Sequence, residues 1–435
     1  MTYRLSSADY AALLFYLAAV CLGLCLCCAP TLAAESHDTR LTLRDAIAAT
    51  LKANPDLAAY RFREAAVDGM RTTAGLRPPL QVNGGIEDAL GTGAVSGIDA
   101  AEFTLSLSQV IELGEQRDAR IGVAGQRRDL LHAEQRVTEL DLLAEVTRRF
   151  IATAAAQQRL VLQQRATALA QQTSDALQPL VQAGQSPASE QARANAALQR
   201  AQLAEAHARA TLDAARVNLS SMWASQVPDF AEVSAELLVP GEAGNLTNLL
   251  LGIEDNPDLL LFASEERLLD AQVREALSER RGTMQWTAGI RHLRAAGDTG
   301  FVFNASMPLG SRERANGAIA TARANISEVT ARRTAALNQM RTQLYALHSQ
   351  LTQAILEVNT LRDAVLPQLN IALEETRAAW LSGRYTYLEL TAAQAEYLDV
   401  ELAMIDAATD AHLLRAEIER LSGAALDPES QETAP

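Results

Sequence analysis

The reactive side chains of this sequence exclude more chemistry than they support. All four cysteines, Cys21, Cys25, Cys27 and Cys28, crowd into one apolar run near the N-terminus. The rest of the chain therefore has no thiolate for a metal and no disulfide framework. Six histidines (His37, His132, His207, His292, His348, His412) are scattered. No two stand at i, i+4, and no H-E-x-x-H exists, so neither a metal site nor a cofactor is expected. No nucleophile elbow, phosphate loop or convergent acid–base set is visible, and the chain does not read as an enzyme. One acidic series remains: Glu396, Asp399, Glu401, Asp406 and Asp410. It is either a solvated helix face or a negative wall that favours cations.

Two short polar stretches, "QAGQSPASE" and "LSGRYTYLEL", each interrupt a long helical pattern at a glycine. They read as the tips of helical hairpins. Their candidate contact residues are Gly184, Gln185, Ser186 and Glu190 in one, and Gly383, Arg384, Tyr385, Thr386 and Glu389 in the other. Thr386 and Glu389 also have capping-box spacing, which explains both without any contact role. Ser186-Pro187 likewise reads as an N-cap followed by a first helical residue.

The elements that must position these tips are long. Hydrophobic residues reach 48%, yet aromatics are only 4%. Ala and Leu carry the excess, which favours long helices packed through small side chains. The net charge of −15 argues against nucleic acid as a partner.

Residues 1–34 read as a signal peptide: Arg4, the apolar run Ala11 to Cys28, then small residues in "APTLAAES" for cleavage after Ala33 or Ala34. The run is also long enough for a retained anchor. "LGLC" and "AAVC" resemble lipid-attachment boxes, each with a large residue before the cysteine.

The remainder is written twice. "NPDLAAYRFREAA" from Asn54 and "NPDLLLFASEERL" from Asn256 stand about 200 residues apart, as do Gly114 and Gly310, and Gly184 and Gly383. One repeat spans 35–220 and the other 246–423, with a linker at 221–245 and a polar tail at 424–435 expected to be disordered. Each NPDL starts a helix, with Asn as N-cap, Pro at the first helical position and Asp in the first turn. Thr42 and Asp45 form a capping box for a preceding helix, Leu43 to Ala53.

Each NPDL helix leads to a strand pair, within 80–111 and 285–308. "EFTLSLSQV" puts Phe103, Leu105 and Leu107 opposite Thr104, Ser106 and Ser108. "FVFNASMPL" puts Phe301, Phe303, Ala305 and Met307 opposite Val302, Asn304 and Ser306. The partners are Leu80 to Glu87 and Gln285 to His292. The alternation fits a half-buried soluble sheet or a membrane barrel equally. After each hairpin comes a helix of about 67 residues, roughly 100 Å long, over Arg117 to Ala183 and Arg312 to Ser382. Leu344, Leu347, Leu351, Ile355, Val358, Leu361 and Val365 recur at about 3.5 residues, a coiled-coil seam. Leu130, Val137, Leu140, Leu143, Val146 and Phe150 trace a similar line. Pro367 should kink or interrupt the second helix, while its counterpart Ala168 should not. Four strands are too few to close a barrel around a pore; three chains would supply twelve.

"LTLRDAIAATLKANPDL", the strand pairs, "AVLPQLNIALEETRAAWLSGRYTYLEL" and the two-fold repeat together resemble the TolC family of outer-membrane efflux proteins. Within it, the chain resembles the CzcC-like subunits of heavy-metal efflux systems. The resemblance implies a mainly α fold with a membrane β-barrel: four strands per protomer in a twelve-stranded barrel, continued by an α-helical coiled-coil tunnel. It implies a homotrimer in outer-membrane lipid, extending into the periplasm of a Gram-negative bacterium. It further implies docking of the tips to a periplasmic adaptor (a membrane fusion protein) and an inner-membrane resistance-nodulation-division pump, with passive export of heavy-metal cations. The family often has an acidic residue one turn beyond Glu389, where this chain has Thr391 and Ala392. The competing reading is a periplasmic coiled-coil adaptor or structural protein with an N-terminal anchor.

Overall fold

A computed structural model describes residues 40–423. The expected signal peptide, anchor, lipidation site and polar tail lie outside the described residues. Short β1 (Arg40–Leu41) precedes α1 (Leu43–Ala53) and α2 (Pro55–Ala74), and β2 (Gln81–Glu87) and β3 (Glu102–Glu112) follow. Then come α3 (Gln116–Gln182) and α4 (Ala188–Ser220). A connecting segment carries β4 (Glu232–Val233). The same order returns as α5 (Leu246–Gly252), α6 (Pro257–Ser278), β5 (Thr283–Leu293), β6 (Asp298–Ser306), α7 (Ser311–Thr360), α8 (Leu366–Leu381) and α9 (Tyr387–Ser422). The mainly helical fold with four principal strands is the expected one.

The local causes are those the residues announce. Thr42 and Asp45 form both bonds of a capping box at α1. Asn54 Oδ1 accepts from the Asp56 N–H at 2.9 Å, and Asn256 Oδ1 from the Asp258 N–H at 2.8 Å. Each asparagine also does something its local sequence does not reveal. Asn54 Nδ2 donates to the Met222 carbonyl at 2.9 Å. Asn256 Nδ2 donates to the carbonyls of Arg420 and Leu421 at 2.8 and 2.9 Å. Both residues are buried. One side chain thus starts the NPDL helix and ties it to the end of the returning helix about 165 residues later.

The four long strands form one antiparallel sheet in the order β2-β3-β5-β6. β3 pairs with β5 from Glu102↔Leu293 to Glu112↔Thr283, joining the two hairpins. The register puts Val82, Leu107, Ala288 and Phe303 in one row, and Gly84, Leu105, Ile290 and Phe301 in the next. β6 begins earlier than the alternation suggested and ends at Ser306, so Met307 lies beyond the strand.

Away from the tips the helices bury three large clusters. One gathers Ala46, Val146, Phe150, Leu219, Phe230 and Val233. A second gathers Ile253, Leu259, Leu344, Leu351 and Ile418. A third joins the two halves through Ile151, Leu162, Leu237, Val358, Ile405 and Ala408. The seam of α7 is buried at Leu344, Leu351 and Val358. The seam traced along α3 is only half-buried from Leu130 to Leu143. That helix packs on α1, α2, α4, α6 and α9 together, so no single stripe defines its inner side. The segment 221–245 is built into the core: β4 pairs in parallel with β1, and Gln157 bonds both the N–H and the carbonyl of Val233.

Pro367 interrupts the second long helix by a specific route. Leu361–Val365 form a π turn, and α8 restarts at Leu366 with the proline in its first turn. α3 passes Ala168 without a break, and its own proline, Pro179, lies near its C-terminal end.

Candidate functional site

Both tips close with the same backbone device. At the first, the Gly184 N–H bonds the Val181 carbonyl at 3.0 Å and the Gln185 N–H bonds Leu180 at 2.8 Å. At the second, Gly383 bonds Trp380 and Arg384 bonds Ala379, both at 2.9 Å. These are paired Schellman motifs, and they require a left-handed residue. Gly184 and Gly383 have φ of 71° and 72°.

The returning helices start differently. Thr386 Oγ1 accepts from the Glu389 N–H at 3.3 Å, while the Thr386 N–H donates to Glu389 Oε2 at 2.6 Å. This is the expected capping box. The Thr386 N–H, and then its hydroxyl, hold the Glu389 carboxyl below the usual carboxylate range. The expected Ser186 cap does not form. Pro187 occupies the cap position of α4, and the Ser186 hydroxyl donates to the Glu190 carboxylate instead. The first backbone bond of α4 runs from the Glu190 N–H to the Pro187 carbonyl at 3.0 Å, and the serine hydroxyl makes no bond to a backbone N–H.

Just above the turns the hairpins are packed together. Leu177, Ala194, Leu373, Trp380, Tyr387 and Leu390 form one buried cluster with members from both. Burial raises the Tyr387 phenol above its ordinary value, against Arg200 and Arg193 on α4, which lower it. Gln394 Nε2 donates to Thr173 Oγ1 at 3.1 Å, and Arg377 donates to Gln172 Oε1 at 3.0 Å. Of the candidate tip residues, Ser186 and Glu190 are half-buried. Gly184, Gln185, Gly383, Arg384, Tyr385, Thr386 and Glu389 are exposed. Leu381 and Leu388 are exposed beside Tyr385, at 57%, 69% and 48%, so the second tip presents an apolar surface. Sequence inspection passed over Trp380 and Leu388; one of only three tryptophans, three residues before the tip glycine, was the available signal.

The acidic series on α9 divides. Glu401 pairs with Arg165 of α3 and also accepts from the Tyr397 hydroxyl at 3.1 Å. Asp406 pairs with Arg159 at 2.7 Å. Glu396, Asp399 and Asp410 are exposed. Two members therefore bind the first hairpin to the second, and the series is neither wholly a solvated face nor a continuous negative wall. Among the described residues no group of three or more His, Cys, Asp or Glu could hold a metal ion. His412 is largely buried and donates to the Leu237 carbonyl at 3.0 Å; burial pushes its pKa down.

At the other end, the sheet is inverted relative to a soluble one. Its exposed face carries Val82, Ile86, Phe103, Leu105, Leu107, Ile290, Phe301 and Phe303. Its covered face carries Ser106 and Ser108, both buried, with Asn83 Nδ2 donating to Ser108 Oγ at 2.9 Å. On that polar face Arg291 reaches Glu87 at 3.1 Å and Glu102 at 2.9 Å. Apolar outside and polar inside is the pattern of a membrane barrel wall, and it separates the two readings that alternation alone left equal. Among the described residues no helix is long and apolar enough to cross a membrane.

Residues 46–225 match the outer membrane efflux protein family. The chain is 23% identical to the cobalt-zinc-cadmium resistance protein CzcC of Cupriavidus metallidurans, over 88% of this chain and 90% of that one. A membrane protein of Pseudomonas aeruginosa has the same fold, with a TM-score of 0.70 at 18% identity, covering 88% of this chain and 90% of its own. So does the Campylobacter jejuni CmeC outer membrane channel, with a TM-score of 0.69 at 14% identity, covering 90% and 88%. The matched segment covers the first NPDL helix, the first strand pair and the whole first hairpin. The fold match extends over the second copy as well, so the chain as a whole has the TolC-like channel fold.

Proposed function

We propose that this chain is the outer-membrane duct of a tripartite efflux system and that it works as a homotrimer. The observation that carries this reading is the inverted sheet. Its apolar face is exposed, and β2 and β6 are unpaired at its edges. Lipid tolerates an apolar face but not open backbone edges. Three copies supply twelve strands and close the cylinder edge to edge. The helices carry the same requirement: α2 buries none of its residues and exposes Phe62 and Met70. The duct then continues through the periplasm for about 100 Å, the length of α3.

The tips are where this duct meets the rest of the system. Gly184, Gln185, Ser186 and Glu190, with Gly383, Arg384, Tyr385, Thr386 and Glu389, form the surface for a periplasmic adaptor and, through it, an inner-membrane resistance-nodulation-division pump. The duct is passive and not an enzyme. Its cargo is heavy-metal cations, a reading supported by similarity to proteins named for cobalt, zinc, cadmium and nickel resistance. Transport needs no resident metal site, because a wide conduit passes what the pump delivers.

The test is a deletion strain complemented with the intact chain. The expected result is an outer-membrane fraction holding a cross-linkable trimer, with restored export of cobalt, zinc or cadmium. Recovery of the chain as a water-soluble periplasmic monomer would overturn the reading and favour an adaptor. Recovery as a trimer without metal export would overturn the cargo only.

A further inference from the structure

The sheet meets the helices through four short connections, 75–80, 113–115, 279–282 and 307–310. They are bonded side by side into a collar. Arg117 Nε donates to the Gly75 carbonyl at 2.6 Å. The Leu113 N–H and Gln116 Nε2 both donate to the Gly282 carbonyl, at 3.2 and 2.9 Å. Arg280 donates to Asn316 Oδ1 at 2.7 Å. The fit is close: a Cβ on Gly282 would fall 2.8 Å from Ser311 Oγ, and one on Gly114 would fall 2.6 Å from Arg281 Cδ. The Arg281 stem therefore lies over bare backbone.

The collar prolongs the apolar side of the sheet. Leu80 stands two positions before Val82, and Met307 two positions after Ala305, so both continue the outward rows. They are exposed, as are Leu76 and Leu309, the last at 86%. Trp286 lies on the same face near the start of β5, in register with Gln109 and Ala305. A tryptophan at that place marks the level where hydrocarbon gives way to headgroups.

Charge changes sign along the sheet. Its far end, 87–102 and 291–298, holds five carboxylates against two arginines. Around the collar, 75–80, 112–117, 279–283 and 306–314 hold six arginines against four carboxylates, in a chain of net charge −15. Arg77, Arg281, Arg312 and Arg314 are exposed, and none of the four has a hydrogen-bond or ion-pair partner among the described residues.

We propose that this collar is a docking surface for an anionic phospholipid of the periplasmic leaflet. The guanidinium groups take the phosphate, which they can bond in a bidentate fashion, and the exposed leucines and Met307 take the acyl chains. Long arginine stems let the charged heads reach headgroup level. A soluble acidic partner would answer the charge but not the apolar rows that run on from the lipid-facing side. Edge-to-edge closure sets 307–314 of one copy beside 75–80 of the next, so each seam joins two parts of the collar. The inference rests on the duct reading, because it needs the sheet in a membrane.

The test uses the full chain purified in mild detergent and offered equal amounts of phosphatidylglycerol and phosphatidylcholine. Native mass spectrometry reads the lipid retained on the trimer. Phosphatidylglycerol should be retained several-fold over phosphatidylcholine, and R77Q, R281Q, R312Q and R314Q together should cut that preference several-fold. R61Q, R136Q, R323Q and R333Q, at exposed helix positions away from the collar, should leave it intact. Equal loss from both sets overturns the proposal in favour of overall charge. An unchanged preference in the collar set overturns it outright. Inorganic phosphate that raises the thermal midpoint as much as phosphatidylglycerol overturns the lipid in favour of a free anion. If the four-residue variant does not assemble, the pair R312Q and R314Q gives the same reading with a smaller expected loss. A trimer with no lipid preference sinks this inference and leaves the duct standing; a water-soluble monomer sinks both.

Discussion

The two hairpins share a repeat and a tip turn but differ in mechanics and surface. α3 runs 67 residues without a break. Its counterpart is divided by the π turn Leu361–Val365, because Pro367 offers no N–H to the carbonyl four residues earlier. Arg362 secures that turn by bonding Asn359 at 2.9 Å and Asp363 at 2.8 Å. The tips differ as well. The first exposes small and polar residues, whereas the second exposes Leu381, Tyr385 and Leu388. The second also supplies Leu373, Trp380, Tyr387 and Leu390 to the shared core, against Leu177 and Ala194 from the first. Duplication thus preserved the turn and left side-chain volume free to diverge, giving one hairpin an unbroken long helix and the other a divided helix with an apolar tip.

The sharpest way to break this contrast is at the shared core. Trp380→Ala should destabilise by about 3–5 kcal/mol, whereas half-buried Val181→Ala at the equivalent place should cost about 1 kcal/mol. Equal falls in the thermal midpoint would mean the two tips carry the core equally. The NPDL asparagines come next. Asn256→Ala removes a cap and two buried carbonyl partners, so about 3 kcal/mol is expected; Asn54→Ala removes a cap and one, for about 2 kcal/mol.

Gly184→Ala and Gly383→Ala should each cost about 1–2 kcal/mol from the left-handed backbone, since nothing stands within 4 Å of an added Cβ. A clear inequality between the two would show that one turn carries strain the other does not. Thr386→Ala should cost about 1 kcal/mol and Ser186→Ala less, because only Thr386 caps a backbone N–H. The Glu389 side of that box depends on pH. Its folded pKa is lowered, so its contribution is present above the ordinary carboxylate pKa and is lost as pH falls through the folded value. An amide-exchange profile at 386–390 that does not change between neutral and strongly acid pH would contradict this. The smallest effect is at the π turn: Pro367→Ala restores an N–H and should slow exchange at 361–365 without moving the tips.

Much of this fold was legible because its signals are local. Thr42 with Asp45, each Asn-Pro-Asp, and each glycine after a helical run act on backbone groups within a few residues, so spacing alone names them. The Ser186 cap misled because the serine hydroxyl bonds the Glu190 carboxylate and no backbone N–H, a choice that spacing does not reveal. The seam of α7 was readable because that helix has one dominant buried side; the line along α3 was blurred because five helices pack on it.

What the sequence determined by itself was therefore the set of parts: paired strands, two long helical hairpins, their turns, and a two-fold repeat. What only the tertiary structure decided was the direction of faces and the partners at long range. Alternation in β3 and β6 is the same whether the apolar side faces a core or lipid; assembly of four strands with Ser106 and Ser108 covered and Phe301 and Phe303 exposed resolved it. The second bonds of Asn54 and Asn256, and the pairing of Glu401 and Asp406 with α3, join residues more than a hundred positions apart. Contacts between residues so distant along the chain depend on how the helices pack side by side, and no residue's immediate neighbours in sequence encode that arrangement.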